Sequence, residues 1–235
     1  MRIAVVSDIH GNLAAFEAVL ADLRDTTPDL VFHGGDLAHG GSSPREIIDR
    51  IRDLGWPGVL GNTDEMLFRP ESLTEFGLPK ALSDAIAEMG AWTRETIGEE
   101  RREWLRGLPL QQIHAPLALV HASPSDTWRA PNLDANDEDL QKIYSPLGQP
   151  VAVYAHIHRS YVRAMPELTV VNTGSVNLSY DGDPRPAYLL VQDTLPTIRR
   201  VDYDVEEEVR ALSTCGIPHA EWIIRMLRSA KPEML

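Results

Sequence analysis

The chain has 235 residues, enough for one sizeable hydrophobic core and too few for several. Its net charge of -13, from 35 acidic against 22 basic residues, excludes a general nucleic-acid binder, which needs a basic footprint to neutralise phosphates. Cys215 is the single cysteine, so no internal disulfide can form, and no run approaches the roughly 20 apolar residues of a membrane helix. After Met1 and Arg2 the chain enters an apolar run with no leader-like pattern, so a cytoplasmic protein without membrane association is expected.

Residues 2–7 are apolar and rich in β-branched side chains, which predicts a buried strand. Leu13, Phe16, Leu20 and Leu23 then recur at helical spacing, predicting a helix over 12–24. Leu30 to His33 reads as a second strand ending at Gly34-Gly35-Asp36. Pro44 opens a second helix, with Ile47, Ile48, Ile51 and Leu54 on one face and Gly55 closing it. Gly58-Val59-Leu60 reads as a third strand leading into Gly61-Asn62. This strand–helix alternation predicts parallel strands joined by right-handed crossovers. Residues 79–106 are helix-rich up to Pro109, and Ile113 with Leu117 to His121 predicts a strand pair. Beyond 151 the pattern shifts to short strands at 151–155, 161–164, 168–171, 187–192 and 197–203. Their spacing, with the turn at Asp181-Gly182-Asp183-Pro184, predicts a partly antiparallel second sheet. Helices around 205–213 and 219–229 close the chain. No repeat or linker interrupts it, so a single domain over 1–235 is expected.

Five segments place metal-competent side chains directly after an apolar strand. They are Asp8-Ile9-His10, Gly34-Gly35-Asp36, Gly61-Asn62-Thr63-Asp64, Val120-His121 and Ala155-His156-Ile157-His158. In α/β folds the carboxyl ends of strands are where loops converge on a ligand, so residues distant in sequence can meet there. Residues two apart in extended backbone point the same way, which lets Asp8 and His10, or His156 and His158, reach one ion. Each motif alone has an ordinary explanation. Asp8 or Asn12 can cap a helix, Gly34-Gly35-Asp36 is a common turn, and a strand-end His121 is commonly structural. Seven metal-competent residues arriving in order are harder to explain that way.

Taken together, the motifs resemble the calcineurin-like metallophosphoesterase superfamily, in particular its small bacterial and archaeal phosphodiesterase-type members. Asn172-Thr173-Gly174-Ser175 resembles the turn that follows in those members. The resemblance implies an αββα sandwich, two packed mixed sheets flanked by helices. It implies one metal held by Asp8, His10, Asp36 and His158, and a second held by Asp36, Asn62, His121 and His156. Asp36 and a hydroxide would bridge the ions. Manganese is the first choice, and the donor set also suits iron, zinc, cobalt or nickel. The implied activity is hydrolysis of a small phosphorylated substrate, for example a nucleotide, with a phosphodiester ahead of a phosphomonoester. A non-catalytic interaction scaffold of the same fold is the third reading. Two divalent ions against the charges of Asp8 and Asp36 leave a cationic site on an acidic protein.

One position departs from the pattern. Many members carry His after Gly-Asn as a general acid, and here that residue is Thr63. Asp64, which orients that His in the family, is retained. Leaving-group protonation is therefore expected to be weak, or to come from water or the nearby His39. Ser42 and Ser43 are expected to cap the Pro44 helix, and Ser175 to bond backbone. His33, His114 and His219 are expected to be structural. Arg69, Arg129, Arg159 and Arg185 are expected at the surface. Trp92, Trp104 and Trp222 are expected in the core or helix seams, with Trp128 the one aromatic worth testing near the site.

Overall fold

The structure, a computed structural model, describes residues 1–235. Strand β1 (Arg2–Val6) pairs in parallel with β2 (Leu30–His33) across the crossover helix α1 (Leu13–Thr26). Asn12 starts α1, its side-chain oxygen accepting from the Ala15 N–H at 2.9 Å. Helix α2 (Pro44–Leu54) begins on its proline and ends at Gly55. The Ser43 hydroxyl makes no cap bond, and Ser42 turns to Glu208, so the expected serine cap is absent.

The expected third strand at 58–60 is only a bridge between His33 and Gly58. The Val59 N–H still reaches His33, but the Leu60 N–H donates to the Pro109 carbonyl, which takes the chain off the ladder. Three helices follow: α3 (Asn62–Met66), α4 (Glu71–Phe76) and α5 (Lys80–Arg106), the last broken at Gly98. Next come β3 (Gln111–His114), β4 (Leu117–Val120), α6 (Asp137–Tyr144), β5 (Val151–Tyr154), β6 (Tyr161–Ala164) and β7 (Thr169–Asn172). The chain finishes with β8 (Ala187–Gln192), β9 (Leu195–Arg200), α7 (Val205–Cys215) and α8 (Ala220–Ser229).

The strands form two mixed sheets, ordered β2-β1-β8-β9 and β3-β4-β5-β7-β6. The last two strands thus belong to the first sheet, where the sequence pattern had put them with the second. β8 runs antiparallel to β1 with Ile3 opposite Val191, so the apolar face of β8 continues that of β1.

Alternation along the strands builds the layers. Ile3 and Val5 of β1, Leu117 and Leu119 of β4, Val151 and Val153 of β5, and Leu189 and Val191 of β8 meet in one buried cluster between the sheets. The other face of β1, Ala4 and Val6, packs with α1 and α2 through Phe16, Val19, Ile47 and Ile51. Ala118, Val120, Ala152 and Tyr154 pack outward against Leu140 and Tyr144 of α6. The result is the expected αββα sandwich. No helix is long and apolar enough to cross a membrane.

Candidate metal centre

The loops after β1, β2, β4 and β5, together with the start of α3, deliver the seven residues singled out in the sequence to one place. Asp8, His10, Asp36, Asn62, His121 and His158 are buried and His156 is partly exposed. Five of the seven hold left-handed backbone: Asp8 (φ 53°), His10 (45°), Asp36 (55°), His156 (70°) and His158 (56°). Such conformations cost about 1–3 kcal/mol each and persist where surrounding structure imposes them, commonly at functional sites. The glycines explain the close approach. A Cβ on Gly61 would lie 2.1 Å from Asp36 Oδ1, and one on Gly35, itself at φ +86°, would lie 2.5 Å from the Gly61 nitrogen.

The donor atoms fall into two overlapping groups. Asp8, His10 and His158 present ligand atoms within 4.8 Å of one another, and so do Asp8, Asp36 and His121. Asp36 faces both sides, with Oδ2 3.5 Å from His10 Nε2 and Oδ1 3.5 Å from His121 Nε2. Asn62 Oδ1 lies 2.9 Å from His121 Nε2 and 2.8 Å from His156 Nδ1. Asp8 is within reach of both groups, whereas the family pattern assigns it to one.

Backbone carbonyls fix three of the imidazoles. The Nδ1–H groups of His10, His121 and His158 donate to the carbonyls of His39 (2.6 Å), Gly34 (2.7 Å) and Leu178 (2.8 Å). Each bond leaves Nε2 directed into the cluster, the arrangement typical of metal-ligating histidines. His10 Nε2 and His158 Nε2 lie only 3.1 Å apart. Two nitrogens facing each other so closely demand a positive centre, which a proton or a cation supplies. The donor set therefore fits divalent metal ions.

The electrostatics follow the same geometry. Burial alone would raise the Asp8 and Asp36 carboxyls, but the neighbouring imidazoles hold both below the usual carboxylate range. Burial lowers His10, and it drives His156 down to about 4 with help from His121. Burial lowers His158 as well, but the Asp8 carboxylate 3.4 Å away, with the Leu178 carbonyl and Asp36, moves it upward on balance.

Asp64 is fully buried and lies beneath the cluster. Its oxygens accept from the N–H groups of Asp36 (2.7 Å), Leu37 (2.9 Å) and Gly61 (3.4 Å). Burial and the Asp36 charge push its carboxyl up to about 7, against the Leu37 and Asp36 N–H donors. It thus holds the backbone that carries Asp36. The Thr63 N–H donates to Asp36 Oδ1 at 2.9 Å, while its hydroxyl, enclosed by its surroundings, has no partner.

His39 does not suit the acid role considered for it. Burial drives it down to about 4, and its Nε2–H donates to the Ile86 carbonyl at 3.3 Å. Ser175 bonds the Asp8 carbonyl, as expected of a turn hydroxyl. Arg69, Arg129 and Arg185 pair with nearby carboxylates, and Arg159 is exposed. His33 is buried without partners, His114 is exposed, and His219 pairs with Glu88.

The cluster opens into a cavity of about 390 Å³ that Trp128 lines, its Nε1 without a partner. Trp222, expected in a helix seam, also lines this cavity, because α8 packs across the opening. Tyr180 joins the two: its ring stacks on His158 at 4.9 Å, and its hydroxyl donates to Met226 Sδ at 3.8 Å. Sequence reasoning missed this wall. Trp222, Ile223 and Met226 have the spacing of a buried helix face whatever that face covers.

A sandwich of two mixed sheets with Asp, His and Asn converging at strand ends defines a metallophosphoesterase-type architecture. Residues 1–194 match the calcineurin-like phosphoesterase superfamily domain, and the chain belongs to that superfamily. A crystal structure of a metallophosphoesterase from Sphaerobacter thermophilus superposes with a TM-score of 0.78 at 25% identity, covering 98% of this chain and 100% of that one. An uncharacterized protein of Methanocaldococcus jannaschii is 29% identical over 94% of this chain and 95% of its own length. The phosphodiesterase YfcE of Escherichia coli K12 is 24% identical over 89% of this chain and 97% of its own.

Proposed function

We propose that this chain is a dinuclear metal-dependent phosphodiesterase acting as a single domain over 1–235. The observation that carries the reading is Asp36, whose two oxygens face His10 on one side and His121 on the other. Asp8, His10, Asp36 and His158 would hold one divalent ion, and Asp36, Asn62, His121 and His156 the other, with manganese the first metal to test. When bound, the ions supply Lewis acidity at phosphorus and a nucleophile drawn from water at neutral pH.

The protein's own groups do the rest. The carbonyls of His39, Gly34 and Leu178 keep three imidazoles aimed inward, and Asp64 keeps the Asp36 backbone in place. Neither lysine nor arginine lines the cavity. A monoester brings two negative charges and a diester one, so the lack of a protein cation favours the diester.

The test joins metal analysis of the purified protein to rates on bis-nitrophenyl phosphate, nitrophenyl phosphate and cyclic nucleotides. Two ions per chain and metal-stimulated hydrolysis, fastest on a diester, are expected. Protein without metal and without metal-stimulated hydrolysis overturns the reading in favour of a scaffold. Faster turnover of the monoester overturns the diester assignment alone.

A further inference from the structure

The cavity over the cluster has two unlike parts. His10, Asp36, Asn62, His156 and His158 supply the polar part. Leu82, Ile86 and Met89 of α5 face Trp222, Ile223 and Met226 of α8 around the rest. Glu233 of the C-terminal tail also lines it. The tail is tied down by the Trp222 Nε1–H, which donates to the Glu233 carbonyl at 2.9 Å, and by Arg225, which donates to the Met234 carbonyl at 3.1 Å. His219, at the head of α8, pairs with Glu88 of α5 at 2.9 Å and fastens the two helices together. The side of this wall formed by α8 and the tail lies beyond residue 194, where the superfamily match ends.

Resting on the metal-centre reading, we infer that the ester bound here carries a single phosphoryl group and a compact, uncharged, apolar or aromatic organic group, seated between α5 and α8. A second phosphate or carboxylate on the organic side would be buried without a cation and close to Glu233, and an unpaired buried charge is strongly penalised. An apolar group of matching size instead gains from leaving water, and the volume sits near the lower end of the roughly 300–1,000 Å³ typical of small-molecule sites. α8 and the tail are therefore the specificity-determining elements.

Binding of inert phosphonate monomethyl esters, singly charged like a diester, to the manganese-loaded protein, measured by calorimetry, tests this without turnover. The benzylphosphonate ester is expected to bind about tenfold or more tighter than the methylphosphonate ester, and the 3-phosphonopropionate ester, with a charged arm, more weakly than either. Met226→Gln and, separately, Leu82→Gln are expected to narrow the benzyl-to-methyl ratio. Equal affinities for benzyl and methyl compounds, or preference for the charged arm, overturn the inference while leaving the metal reading intact. If the protein takes up no manganese and binds no phosphonate, the metal reading fails and takes the inference with it.

Discussion

Glu208 of α7 is 1% exposed, and its carboxylate is met only by Ser42, whose N–H and hydroxyl each donate at 2.9 Å. Burial pushes its carboxyl from 4.5 up to about 7. The folded state therefore holds this proton more tightly than the unfolded chain does. The stability tied to it is complete below about pH 4.5 and is lost as pH rises through about 7. A rise of that size corresponds to about 3 kcal/mol. Glu208→Gln keeps the shape and an acceptor for the Ser42 N–H while removing the charge. Urea unfolding of both proteins should give nearly equal stabilities at pH 4. At pH 8.5 the glutamine variant should be more stable by about 3 kcal/mol, other titrations cancelling in the difference. Equal stabilities at pH 8.5 would mean that the ionised carboxylate is solvated in place, refuting the burial argument. The site has a stake in the outcome. Ser42 follows Gly41, which packs so closely on the His10 carbonyl that a Cβ there would lie 2.1 Å from its oxygen.

Asp36→Asn should reduce bound manganese from two ions to at most one, counted by elemental analysis after dialysis; retention of two would remove Asp36 from the bridging position. Gly61→Ala must displace Asp36, because the new Cβ would meet its Oδ1 at 2.1 Å and its backbone nitrogen at 2.2 Å. A melting curve should show a loss of about 1–3 kcal/mol, and calorimetry weaker metal binding; wild-type values for both would refute the packing argument. With Thr63 in place of the family histidine and His39 held neutral by burial, the leaving group departs with little help from a protein acid. Rates on a diester series should rise steeply as leaving-group pKa falls, whereas equal rates on nitrophenyl and alkyl esters would show that a general acid has been overlooked.

The sequence carried the site further than the sheets. Each candidate ligand except Asn62 follows a strand with a plain apolar run, and the glycines at 35 and 61 mark where backbone has to come close. Those signals are local, so they survived without knowledge of the fold. Which sheet a strand joins is settled by distant partners. β8 pairs with β1 across nearly the whole chain, and no periodicity within 187–192 records that choice. Residues 58–60 failed for the same reason, since the Pro109 carbonyl that takes the Leu60 N–H lies far along the sequence.

The cavity wall shows the limit most clearly. Trp222 and Met226 have the spacing of any buried helix face, and burial against another helix or against a ligand leaves the same pattern in sequence. Only the packing of α8 beside α5 over His156 and His158 separates the two cases. The candidate metal-binding groups of this chain are therefore readable from short motifs, whereas the lining of the cavity beside them is written in elements whose meaning depends on where they dock. If that holds, exchanging α8 and the tail between relatives should move substrate preference while leaving metal content unchanged.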